Sequence, residues 1–227
     1  MTTPYDDIKA KILDAAMMHV AFDGWSDATL KSAIADAGVD PAPARAVLPR
    51  GAVDLALAYH QQGDRQMLEK LRTMDLSQMK MREKIATAVR TRVQQGDREA
   101  VRRGMTLLAL PRHAGEGAKA LWTTADLIWT ALGDTAEDVN WYTKRASLSA
   151  VISATVLYWL GDDSEGSQAT WDFLDRRIDN VMQVEKLKAQ VNDNRLLRPF
   201  MAGPNWLARQ IRAPMRKAGP DWPATGA

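Results

Sequence analysis

Three histidines, no cysteine and one dense run of acidic, aromatic and basic residues are the chemistry-bearing features of this sequence. His19, His60 and His113 lie far apart, and no HExxH, ExxH or DxD-type calcium loop occurs. A metal centre therefore has little to build on. The lack of cysteine excludes disulfide scaffolds, thiolate ligands and cysteine nucleophiles. No catalytic residue and no metal ligand is assigned. The dense run is Asp138–Val139–Asn140–Trp141–Tyr142–Thr143–Lys144–Arg145. On a helix, Trp141, Arg145 and Leu148 share one face, so a cation–π contact is available. Neighbours diverge by about 100° on a helix, so Trp141 and Tyr142 cannot both face a core and one is expected to be partly exposed. The pair reads either as two rings at the edge of a core or as a protein-binding hot spot, which Trp, Tyr and Arg dominate.

The elements that must position these residues are helical almost throughout. Ile8, Ile12, Leu13, Ala16, Met17 and Val20 follow the 3.6-residue period, with Gly24 at the C-cap position. Ser26 N-caps a short second helix ending near Gly38, and Asp40–Pro41 opens a third that fails at Leu48–Pro49–Arg50–Gly51. A longer helix starts near Ala52, and further helical windows cover about 77–95, 98–110, 117–132, 136–160 and 167–190. Gly96–Asp97, Pro111, Gly133–Asp134 and Gly161–Asp162 separate them. The first 50 residues have helix-turn-helix spacing and resemble the N-terminal domain of TetR-family regulators in AAMMHVAFDGWSDATLKSAIADAGVD. Reading DNA would need hydrogen-bonding side chains on the third helix. That helix is PAPARAVL, with Arg45 alone able to contribute and with Asp36, Asp40 and Asp54 around it. A helix-turn-helix kept as scaffold is the expectation, and a TetR-like ligand-responsive DNA-binding transcription regulator is the alternative.

The chain has 227 residues, 46% hydrophobic and 26% charged, which excludes collagenous and wholly disordered classes. Residues 183–227 carry a net charge of +5 within a chain of net +2, so a basic tail follows a mildly acidic body. Between Arg195 and Lys217 lie six basic residues and no acidic one. On a helical wheel counted from Leu196, Leu197, Phe200, Met201, Leu207, Ile211 and Met215 fall between about 20° and 140°. Arg198, Arg209, Arg212 and Arg216 fall between about 160° and 220°, and Trp206 near about 280°. Such a basic amphipathic segment suits an anionic bilayer surface, although Pro199, Pro204 and Pro214 divide it into short pieces. The longest uncharged run, Ala146–Leu160, is shorter than a membrane span and carries Ser147, Ser149, Ser153 and Thr155, so it reads as a buried helix.

The phrases ALPRHAG, DLIWTALGDTAEDVNWYTKR and TWDFLDRRIDNVM closely resemble the ubiquinone-biosynthesis accessory protein family, whose members bind lipid on a TetR-like fold. The likeness runs from about Ile8 to Met182 with unbroken order. It implies a protein without chemistry of its own, which binds an isoprenoid lipid and assists the di-iron hydroxylase acting on demethoxyubiquinone. It also implies a partner-binding patch at Asp138, Trp141, Tyr142 and Arg145, joined by Ile128 and Trp129 from the preceding helix. An amphipathic C-terminal helix docking on membranes is implied too, as is a homodimer. The sequence shows no presequence, so the resemblance implies a bacterial member at the inner face of the inner membrane.

The expected architecture is all-α and TetR-like: residues 1–50 a degenerate helix-turn-helix head, 51–190 a lipid-binding body, 191–227 a membrane-associating tail. Leu107, Leu108, Leu121, Leu127, Val151, Ile152, Val156 and Leu157 are the candidate pocket walls. Arg198, Phe200, Trp206, Leu207, Arg209, Ile211 and Arg212 are the candidate membrane contacts. Eleven methionines would supply deformable lining. No cofactor is expected beyond a bound lipid, an isoprenoid quinone or a phospholipid. The expected partners are the hydroxylase, lipid, a membrane surface and a second copy of the chain, with no nucleic acid.

Overall fold

The computed structural model describes residues 4–193, the last ten as backbone, and Ala213. Among these residues there are nine α-helices and no strand. They are α1 (Pro4–Asp23), α2 (Asp27–Asp36), α3 (Pro41–Val47), α4 (Ala52–Thr73), α5 (Met81–Gln94), α6 (Arg98–Leu108), α7 (Ala114–Ala131), α8 (Val139–Leu160) and α9 (Gln168–Asp193). A single 3-10 turn, Glu165–Ser167, precedes α9. No helix among the described residues is long and apolar enough to cross a membrane.

The helix boundaries follow from local chemistry. Gly24 takes φ +65°, the left-handed conformation that ends α1 without a Cβ penalty. Ser26 Oγ then accepts the Thr29 N–H and caps α2. Asp97 and Asp138 cap α6 and α8 in the same way, accepting the backbone N–H of Ala100 and Asn140. Asp40 stands at the N-cap position of α3 as the sequence suggests, with Pro41 in the first turn, but its side chain makes no capping hydrogen bond. The helix foreseen from about residue 77 begins instead at Met81. Asp75 accepts the Ser77 N–H, and Glu83 reaches back to the Lys80 N–H, so the turn chemistry outcompetes the first helical turn.

The chain divides into two compact units. The first comprises residues 1–72 and 91–121. Its core joins Ile12, Leu13, Ala16 and Val20 of α1 to Trp25, Ala33, Ala44, Leu48, Leu55 and Ala100. Trp25 Nε1 donates to the Ala100 carbonyl at 2.9 Å, and its ring lies 5.3 Å from that of Tyr59. The helix-turn-helix elements thus share one core with α4 and α6, so this unit is larger than a head ending at residue 50. The reason is physical: α1–α3 alone leave Trp25 and Leu48 without cover, and Leu55, Ala56, Ala58 and Ala100 supply it.

The second unit comprises, among the described residues, 73–90 and 122–193. Its buried side chains include Ile85, Val89, Ile128, Leu148, Val151, Trp159, Trp171, Leu174 and Ile178. Asp162 stands at the turn between α8 and α9. Its carboxylate accepts from Ser164 N–H and from both the N–H and the hydroxyl of Thr170. Those hydrogen bonds, from Thr170 first, hold Asp162 well below the usual carboxylate range.

Candidate functional site

Helix α8 carries the dense run in its first two turns. Asp138 is exposed at the N-cap, where it accepts from the Asn140 backbone at 2.9 Å and from the Asn140 side chain at 3.0 Å. Trp141 and Tyr142 are both half-buried. They meet edge to face with centroids 4.7 Å apart. A third ring that the sequence analysis did not single out, Trp122 of α7, lies 5.9 Å from Trp141 and 6.4 Å from Tyr142. The result is a three-ring aromatic surface contributed by α7 and α8.

Arg145 lies beneath this surface with no solvent exposure at all. Its guanidinium carbon is 4.0 Å from the Trp141 ring centroid, which realises the contact foreseen from the i, i+4 spacing. Nε donates to Asp126 at 2.6 Å, and Nη1 donates to Asp134 and to the Trp141 carbonyl, each at 3.0 Å. Lys144 Nζ lies 2.7 Å from the other oxygen of Asp134 and 5.1 Å from the Trp129 ring centroid. Trp129 Nε1 donates in turn to the Lys144 carbonyl. Burial alone would raise the Asp134 carboxyl, but hydrogen bonds from Lys144 and Arg145 outweigh it and hold the pKa below the ordinary value. Ile128 is wholly buried. Of the six patch residues, then, Asp138, Trp141 and Tyr142 reach the surface, Trp129 is half-buried, and Ile128 and Arg145 support from below.

A cavity of about 440 Å³ opens beside the same helix. Its polar lining comes from Asp134 and Thr135 after α7 and from Asn140, Lys144 and Ser147 on α8. Trp129 joins these, and the apolar remainder is Met81 and Ile85 of α5, Leu148 and Val151 of α8, and Ile178, Val181 and Met182 of α9. The volume and the lining are those of a small-molecule site.

Of the eight foreseen wall residues only Val151 lines this cavity. Leu107 lines a different one, of about 510 Å³, in the first unit with Trp25, Arg50 and His113. Leu108 and Leu121 are half-buried residues of the first unit, Leu127 and Val156 are half-buried in the second, and Ile152 is buried in the second. Leu157, at 59% exposure, lies on the surface of α8. The eight are not gathered in either of these two cavities. Asp126 and Trp122 of α7 were missed, and Asp134 read only as a turn residue, because their partners Arg145, Lys144, Trp141 and Tyr142 are brought to them by the fold and not by sequence spacing. The seven membrane-contact residues, Arg198 to Arg212, lie outside the described residues. Among the described residues no three His, Asp or Glu side chains are grouped to hold a metal ion.

Comparison with known proteins gives a consistent picture. The COQ9 family model matches residues 114–185, which contain the aromatic surface and most of the cavity. The chain is 31% identical over 191 residues to the mitochondrial ubiquinone biosynthesis protein COQ9 of Drosophila melanogaster, covering 82% of this chain and 58% of that protein. It is 27% identical to a probable mitochondrial counterpart in Dictyostelium discoideum and 27% identical to the human protein, covering 82% of this chain and 64% and 61% of theirs. The chain thus spans about three fifths of the length of these relatives. Among solved structures, the TetR transcriptional regulator from Nitrosomonas europaea superposes with a TM-score of 0.64 at 19% identity, over 78% of this chain and 99% of that one. The fold is therefore all-α and TetR-like.

Proposed function

The chain belongs to the COQ9 family, and from that premise we propose that it is a non-catalytic accessory protein of ubiquinone biosynthesis. It holds an isoprenoid, quinone-like lipid in the α5–α8–α9 cavity and presents it to the hydroxylase that acts on demethoxyubiquinone. One observation carries this reading. The cavity and the aromatic surface are built on the same turns of α8, with Asn140 and Lys144 lining the first and Trp141 and Tyr142 forming the second. A partner seated on the rings is thereby brought next to whatever the cavity holds. The curated relatives carry ubiquinone biosynthesis in their names, which supports the pathway. The basic segment Arg195–Lys217 serves in this proposal to hold the protein against an anionic membrane, and a second copy of the chain completes the assembly. The regulator reading gains no observation of its own. The third helix, seven residues long, offers Arg45 alone as a cation, and the likeness to the regulator structure concerns fold.

The test is affinity for the hydroxylase. Trp141→Ala and Tyr142→Ala are each expected to cost about 2 kcal/mol or more, as hot-spot aromatics do. The double variant should fold normally by circular dichroism and lose measurable binding. A folded double variant that binds at wild-type affinity overturns the docking assignment.

A further inference from the structure

The cavity has a chemical polarity of its own. Its polar lining is confined to the segment 133–135 and the first half of α8, while its apolar lining comes from α5, α9 and the next turn of α8. At the polar end the charges already cancel. Its two charged lining residues, Asp134 and Lys144, pair at 2.7 Å, and behind them Arg145 lies 3.0 Å from Asp134 and 2.6 Å from Asp126. An anionic head placed there would add an unmatched negative charge next to the buried Asp134 carboxylate. A neutral oxygen acceptor needs a donor only. An ammonium has three N–H donors, and Lys144 directs one to Asp134 at 2.7 Å. Beside it the Trp129 indole, fixed by its own hydrogen bond to the Lys144 carbonyl, also lines the cavity and lies with its ring centroid 5.1 Å from the Lys144 ammonium.

We propose that Lys144 is the specificity-determining donor of this cavity. It hydrogen-bonds a neutral oxygen on the head of an amphiphile, a carbonyl or ether oxygen on a planar ring lying against Trp129. The apolar chain then runs past Val151 toward Ile178. This rests on the lipid-binding reading above and deepens it. The ligand is oriented head-first toward the turn that carries Trp141 and Tyr142, and neutral ring-bearing lipids are selected over anionic ones.

The experiment follows quenching of tryptophan fluorescence in the full chain. The probes are a dimethoxy-benzoquinone with a ten-carbon chain and, as competitor, a lysophosphatidylglycerol of the same chain length. Wild-type protein is expected to bind the quinone at least tenfold more tightly than the anionic lipid. Lys144→Met should remove that preference by weakening the quinone about tenfold, and Lys144→Arg should retain it. Val151→Trp, which fills the apolar part, should weaken both ligands. Circular dichroism establishes that each variant is folded. If Val151→Trp abolishes binding while Lys144→Met leaves quinone affinity unchanged, the cavity holds lipid but Lys144 does not orient it, and the proposal falls alone. If Val151→Trp binds the quinone like wild type, the cavity is not the lipid site and both readings fall.

Discussion

Arg145 is a wholly buried cation tied to two carboxylates, a carbonyl and an aromatic face. With no exposed surface of its own, it acts on the aromatic surface by packing against the Trp141 ring. In Arg145→Met, the buried Asp134 keeps Lys144 as its partner, while Asp126, 41% exposed, loses its cation but is reached by water. The cost then comes mainly from the lost hydrogen bonds of Asp134 and the Trp141 carbonyl, about 1–3 kcal/mol in urea unfolding, and hydroxylase binding is expected to weaken although the exposed rings are unchanged. Arg145→Lys should recover only part of the loss. A single ammonium cannot span Asp126, Asp134 and the Trp141 carbonyl with the fork geometry of a guanidinium. Wild-type stability in Arg145→Met would show that the network does not hold the surface together.

Helix α4 poses a problem that propensity alone would decide wrongly. Gly63 sits in its interior, where alanine is ordinarily favoured by about 1 kcal/mol. A Cβ built there, however, lies 2.6 Å from Arg92 Nη1 and 2.8 Å from its guanidinium carbon. That guanidinium cannot swing away, because Nε is bonded to buried Asp64 at 2.6 Å and Nη2 donates to the His60 carbonyl. Gly63→Ala is therefore expected to destabilise by about 1–3 kcal/mol through overpacking. Combined with Arg92→Met, its further cost should shrink, a non-additivity that denaturation of the four proteins of the cycle measures directly. The same helix illustrates what the sequence discloses. The period of Val53, Leu57, Leu68 and Leu71 announces α4, and Ser26 announces the start of α2, because caps and periodicity are local; Asp138, read as lying inside a helix from about 136, turns out to cap it. Gly63 gives no such notice, since its cause is an arginine 29 positions away. The cavity was illegible for the same reason. Its lining is assembled from α5, α8, α9 and a loop, and apolar residues facing a void have the same spacing as those facing a core. The aromatic surface was half legible: Trp141, Tyr142 and Arg145 share one local run, whereas Trp122 and Asp126 join it only in three dimensions.

At the level of the whole chain, titratable groups of opposite solvation history are segregated between the two compact units. His60 belongs to the first. Burial lowers its pKa from the ordinary 6.5, against the raising effect of Asp64 on the same helix. The other groups facing it are Arg92 of α5, which also lowers it, and the Ala120 carbonyl of α7, which raises it. The unfolded chain then binds a proton at His60 before the folded chain does. Stability of this unit is complete above pH 6.5 and declines as the pH falls from there toward the lowered folded value. Asp134 and Asp162 belong to the second unit, and both are held below the ordinary carboxylate value of 3.8. What they contribute is complete well above that value and is lost only as the pH falls below it. The two units should therefore weaken in different windows. Hydrogen exchange corrected for intrinsic rates is expected to show α4 losing protection as the pH falls below about 6.5, with α8 and α9 unchanged until below about pH 4. His60→Gln should remove the first step and leave the second. Unchanged protection of α4 down to about pH 4 would mean that His60 takes up its proton without opening the unit, and the assignment of the first window to its burial would be wrong.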